Sequence, residues 1–114
     1  EFKFMSQKKQ LVKFLPGGNA QEFKKALLPY SNSPIYLTID LDWFDPSLLP
    51  GTGTPEPGGF FWNDFEVILE TLKDFRIVAS DIVELSPEID NSGVSSIVAA
   101  KVLRSLIMSV QNMQ

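Results

Sequence analysis

The sequence predicts an α/β fold, a parallel sheet covered by helices, on three observations. Segments with strand and helix periodicity alternate along the chain. Two of the strands are nearly unbroken apolar runs, as in sheets covered on both faces. Acidic residues gather at the carboxyl ends of those strands, where such sheets bind ligands. The expected architecture is three-layered, α/β/α, and incomplete in a chain this short.

The elements follow in order. Residues 1–9 are polar and basic around Phe2, Phe4 and Met5 and carry no firm structural signal. Leu11-Val12-Lys13-Phe14-Leu15 alternates weakly and stops at Pro16-Gly17-Gly18, a short strand and a turn. Asn19 is placed to cap a helix over about 20–29, with Phe23, Ala26 and Leu27 on one face and Pro29 ending it. Ser31 to Pro34 is a turn, and Ile35–Leu41 is an apolar strand. The loop from Asp45 to Gly59 holds four prolines and four glycines among fifteen residues. Loops of that length are uncommon and tend to be functional. Asn63, with Glu66 three residues on, has capping-box spacing and opens a helix to about Asp74 through Phe65, Ile68, Leu69 and Leu72. Arg76–Val83 is a second apolar strand. Asp90 or Ser92 starts the last helix, with Ile97, Val98, Leu103, Leu106 and Ile107 as its apolar face. The order is strand, helix, strand, long loop, helix, strand, helix, with no internal repeat.

The 114 residues suffice for one small domain. No apolar run approaches the roughly 20 residues of a membrane helix. The net charge of -4, without a basic stripe, argues against nucleic-acid binding. Cysteine is absent, so there is no disulfide framework, which fits a cytoplasmic location. The chain opens on Glu1-Phe2-Lys3, neither a methionine nor a signal peptide, and so reads as a fragment or processed product. Histidine is absent as well, so any metal site is either all-oxygen or completed by residues outside this sequence.

Asp40 and Asp42 sit at the end of the first apolar run. Positions two apart on a strand share a face and lie roughly 6.5 Å apart. Two carboxylates at that separation repel by about 2 kcal/mol at an effective dielectric of about 20, a cost that a bound cation offsets. The pair therefore reads as metal-ligating, with Glu84 converging from the end of the second strand. An isolated Asp-x-Asp also occurs as a simple turn cap. A calcium hand is excluded because Phe44 and Gly51 stand where a ligand and the late glutamate belong. A magnesium-dependent phosphatase with an aspartyl nucleophile is the alternative enzyme class. It fits less well, because Trp43-Phe44 follows the pair and Lys101, the only lysine after the second strand, lies inside a helix. The third alternative is a non-catalytic segment whose acidic strand ends only stabilise turns.

A wider pattern is more specific. Thr38-Ile39-Asp40-Leu41-Asp42, then Pro46, Pro50-Gly51 and Gly59, resembles the ureohydrolase signature of arginases and agmatinases. The run from Pro50 to Gly59 resembles the agmatinase branch in particular. Asp81-Ile82-Val83-Glu84-Leu85-Ser86-Pro87 with Asp90 is similar to the next stretch of that family, and the resemblance covers about 35–111. It implies that residues 1–114 are the carboxy-terminal part of a single ureohydrolase domain. It implies two Mn2+ ions per active site holding a hydroxide that attacks the guanidinium carbon and releases urea. Carried across, Asp40 and Asp42 match metal-binding aspartates, Glu84 matches the carboxylate that pairs with the guanidinium, and Thr54 sits where a hydroxyl orients the substrate. Asp45 and Asp81 read as supports of loop and strand ends, and Trp43 and Phe44 as packing.

The family's further ligands, an Asp-x-His-x-Asp group and an acid/base His, have no counterpart here. They are expected upstream, so no catalytic residue is assigned within the chain and the segment alone is expected to be inactive. The implied substrate is a small cationic guanidino compound, agmatine giving putrescine, with guanidinobutyrate or guanidine as alternatives. A homotrimer or homohexamer is the implied assembly.

Overall fold

The structure is a computed structural model and describes residues 2–8, 14 and 16–111. The elements run α1 (Phe2–Gln7), α2 (Ala20–Leu27), β1 (Ile35–Asp40), α3 (Trp62–Leu72), β2 (Ile77–Val83) and α4 (Val94–Gln111). The two strands pair in parallel, Thr38 beside Asp81 and Asp40 beside Val83. A parallel pair needs a crossover, and α3 supplies it. The α/β class expected from the alternation is the one observed.

Helix α1 replaces the structureless start. Most of the expected strand Leu11–Leu15 (Leu11, Val12, Lys13 and Leu15) lies outside the described residues. Asn19 does cap α2, its side chain accepting from the Gln21 amide at 2.9 Å. That helix gives way to a 3-10 turn, Leu28–Tyr30, which Pro29 enters as one of its first residues. Helix α3 starts earlier than expected, with Phe61 at the cap and Asn63 already inside. Asp64 accepts from the Phe61 amide at 2.9 Å, while Glu66 accepts from the Trp62 indole instead of closing a box with Asn63. A carboxylate in the first turn satisfies an orphan amide without an Asn cap.

The core lies on one side of the sheet. Ile39 and Leu41 meet Phe44, Leu49, Phe65 and Leu69, with Val98, Val102 and Leu106 of α4 closing over them. A second cluster joins Leu72, Phe75 and Ile77. The opposite face, carrying Tyr36, Thr38 and Asp40, is exposed among the described residues. The expectation that both faces are covered therefore fails on that side. Helix α4 also turns differently from its expected face. Val98 and Leu106 are buried, joined by Ala99 and Val102, whereas Ile97 (69% exposed), Leu103 and Ile107 look outward. The helix is apolar around most of its circumference, so periodicity could not choose a side.

The long loop is fastened at both ends. Phe44 and Phe60 bridge in parallel, and Trp43 stacks on Phe60 with ring centroids 4.0 Å apart. Between them, a Cβ on Gly59 would lie 2.6 Å from the Asp45 nitrogen and 2.7 Å from the Phe44 carbonyl carbon. Backbone cannot retreat as a flexible side chain can. Gly59→Ala is therefore expected to destabilise the protein by about 2–3 kcal/mol, read as a lower urea midpoint.

Candidate metal and guanidino site

Strand β1 ends at Asp40, one residue short of the expected Leu41, because Leu41–Trp43 winds into a 3-10 turn. Asp40 caps that turn, its Oδ1 accepting from the Asp42 amide at 3.2 Å. Strand alternation thus does not bring the two aspartates together. The turn does, and it buries Leu41 while returning Asp42 toward Asp40. Asp40 is held above the ordinary aspartate value, first by lost hydration and then by the nearby carboxylates of Asp42 and Glu84.

Glu84 follows the last residue of β2 and has φ 67, the only positive φ of a non-glycine residue among those described. That left-handed backbone costs an L-residue roughly 1–2 kcal/mol. Its side chain is exposed and forms no salt bridge among the described residues. A Cβ on Gly53 would stand 3.9 Å from Glu84 Oε2, so the loop passes directly beside this carboxylate. One residue on, the Thr54 hydroxyl donates to Asp42 Oδ2. The four residues singled out by sequence, Asp40, Asp42, Thr54 and Glu84, lie at one end of the strand pair. Thr54 is engaged with an aspartate, a role that sequence did not suggest.

Asp45 and Asp81 hold loop and strand ends, as expected. Asp45 receives the Ser47 and Gly58 amides, both at 2.9 Å, which draw the loop's two ends together. These partners, the Ser47 hydroxyl first, hold its carboxyl below the usual range. Asp81 lies on the open sheet face, held low by the hydroxyls of Thr38 and Tyr36. Phe44 is buried in the core and Trp43 packs on Phe60, so both serve packing.

Two residues went unnoticed in the sequence. Ser95, 0% exposed, receives the Gly51 amide at 2.8 Å and donates to Asp90 Oδ2 at 2.6 Å. Thr52, 1% exposed, has a hydroxyl with no hydrogen-bond partner among the described residues. Neither position has a local signal, because burial and pairing at 44 residues' separation are tertiary properties.

The Ser92 and Ser95 hydroxyls and amides hold the Asp90 carboxyl far below the ordinary value. A depressed folded pKa gives stability that is present above the unfolded value of about 3.9 and lost as pH falls through the folded one. Asp90→Asn is therefore expected to lower the melting temperature at pH 7, with the gap to wild type narrowing toward pH 2. Thermal scans across that range check it.

As donors, Asp40 and Asp42 offer hard carboxylate oxygens, the kind that manganese or magnesium takes. They fit such an ion in kind but not in number. Among the described residues no three His, Cys, Asp or Glu side chains form a group able to hold a metal. Neither is any described helix long and apolar enough to cross a membrane.

The sequence matches the Arginase family over residues 8–109. The chain belongs to the arginase family. It is 38% identical over 91 residues to an agmatinase of Chromobacterium violaceum, covering 80% of this chain and 27% of that protein. It is 34% identical over the same length to the proclavaminate amidinohydrolase of Streptomyces clavuligerus, covering 80% and 28%. Among solved structures it superposes with TM-score 0.81 on a Clostridium difficile protein described provisionally as an agmatinase, at 42% identity, over 97% of this chain and 40% of that one. The proclavaminate amidinohydrolase structure gives TM-score 0.77 at 29% identity, over 84% and 33%. The chain thus spans little more than a quarter of the curated relatives' length. Membership gives the fold, an incomplete arginase-like α/β arrangement. The phosphatase alternative finds no support in any of these similarities.

Proposed function

We propose that the full-length protein carrying this segment is a manganese-dependent amidinohydrolase that splits agmatine into putrescine and urea. The observation that carries the reading is the turn that gathers Asp40 and Asp42 at the end of β1, near Glu84, a carboxylate without a salt bridge among the described residues and held in a strained backbone. Strained backbone clusters at functional sites. In this reading Asp40 and Asp42 hold the metal, and the other ligands come from outside this chain. Bound divalent ions supply Lewis acidity and a water acidic enough to ionise near neutral pH.

The chain's own groups do the rest. Glu84 offers two oxygens to a planar guanidinium, which favours bidentate carboxylates. The Thr54 hydroxyl fixes the Asp42 carboxylate by occupying one of its oxygens. The loop 45–59 walls the site beside Glu84. The same reading places the protein in the cytoplasm as a homotrimer or homohexamer, and leaves the isolated segment without activity.

Agmatine is favoured by the likeness to proteins named agmatinase. A guanidino acid such as guanidinobutyrate is the second reading, favoured by comparable identity to a proclavaminate amidinohydrolase. Urea release by the manganese-loaded full-length protein, assayed against agmatine, guanidinobutyrate, arginine and guanidine, decides between them. Agmatine is expected to give the highest kcat/KM. Urea from none of the four would refute the function.

A further inference from the structure

We propose that Ser95, oriented by Asp90, is a positioning residue that sets the Gly51–Thr54 loop for the guanidino site. The proposal rests on the amidinohydrolase reading and adds to it residues that lie outside the site.

The Gly51 peptide is clasped from two sides. Its amide donates to Ser95 Oγ at 2.8 Å, and its carbonyl accepts from the Ser86 amide at 2.8 Å. Ser95 belongs to the first turn of α4, and Ser86 lies two residues beyond Glu84. One peptide unit therefore joins the loop, the exit of β2 and the start of α4. Two and three residues on stand Gly53, beside Glu84, and Thr54, bonded to Asp42.

The direction of the Ser95 hydroxyl is fixed by Asp90. Its Oδ2 accepts both the Ser95 amide at 2.8 Å and the Ser95 hydroxyl at 2.6 Å. An ionised carboxylate only accepts, so the serine proton points to Asp90 and a lone pair faces Gly51. An Asn at 90 could donate instead, turning the serine proton toward the Gly51 amide. Contact is too close for any other residue at 51, since a Cβ there would lie 2.8 Å from both Ser95 Cβ and Oγ. A buried serine with donor and acceptor both used, against a glycine that leaves no gap, sets the loop's height over the strand ends.

The test compares wild type with Ser95→Ala and Gly51→Ala in the full-length protein. A misplaced grip weakens ground and transition states alike and so raises KM. General loss of folded protein lowers the number of active sites, and with it kcat, leaving KM unchanged. Both variants are expected to raise KM for the guanidino substrate by about tenfold or more, with kcat within about threefold. Hydrogen exchange gives a readout without turnover. The amides of residues 51 and 52, bonded in wild type to Ser95 Oγ and the Pro50 carbonyl, should exchange at least about tenfold faster, with residues 98–106 of α4 unchanged. Unchanged loop protection, protection lost equally across loop and α4, or a loss confined to kcat would each overturn the proposal. A wild type that releases no urea would sink the functional reading, and the exchange measurement would still decide the clasp.

Discussion

Asp42→Ala in the full-length protein is expected to lower manganese-supported urea release by about a thousandfold and to leave the purified protein short of metal. A thousandfold corresponds to roughly 4 kcal/mol at about 1.4 kcal/mol per tenfold, within the several kcal/mol that Lewis-acid stabilisation supplies. Asp42 is partly buried in the 3-10 turn and is tied to its neighbours by the Asp40 carboxylate and the Thr54 hydroxyl. Alanine keeps the turn, because the Asp42 amide still donates to Asp40 and Leu41 stays in the core. Loss of activity would thus come without loss of fold. Metal content after dialysis and the melting temperature, measured beside turnover, separate the two. Normal turnover with a full complement of manganese would remove Asp42 from the ligand set. Thr54→Val is the graded companion: it frees one Asp42 oxygen without deleting it, so its loss should be smaller than that of the alanine variant.

What the sequence disclosed and what it withheld divide by the range of the interactions. Strand β1, strand β2 and the crossover helix were readable, because apolar runs and helical periodicity are local properties. Asn19 was readable for the same reason, since a cap bonds an amide two residues away. The close approach of Asp40 and Asp42 was anticipated, but through strand alternation, whereas a 3-10 turn produces it. Leu41 continues the apolar run in sequence, and only its tertiary burial, with that of Phe44, shows that the chain turns there. The buried side of α4 was misjudged because nearly every side of that helix is apolar. The bond between Ser95 and Gly51 was invisible, as it spans 44 residues and neither residue type announces it. The uncovered face bearing Tyr36, Thr38 and Asp40 is consistent with a chain that spans little more than a quarter of its relatives. A parallel sheet ordinarily has both faces covered.

The left-handed backbone at Glu84 could not be read from sequence either, since glutamate rarely adopts it, and it leads to a prediction with opposite signs in stability and activity. Glu84→Gly should raise stability by about 1 kcal/mol, because glycine takes a positive φ without the steric cost paid by a residue with a Cβ. The gain is partly offset by the greater freedom of glycine in the unfolded chain. The same variant should lose guanidinium binding. Glu84→Gln keeps the Cβ, and so the strain, but gives up the charge and one acceptor oxygen. Hydrogen bonds to charged groups contribute roughly 1.5–3 kcal/mol each, so the glutamine variant should lose about 10–150-fold in kcat/KM at nearly unchanged melting temperature. The pair of variants thereby separates the carboxylate from the conformation that presents it. A glycine variant less stable than wild type would mean that Glu84's own contacts hold the left-handed turn, with no strain stored there. A glutamine variant with wild-type kinetics would take the carboxylate out of the site. Strain retained at the one non-glycine position with positive φ among the described residues, beside the aspartate pair and away from the core, is the pattern expected when a protein gives up stability to aim a binding group.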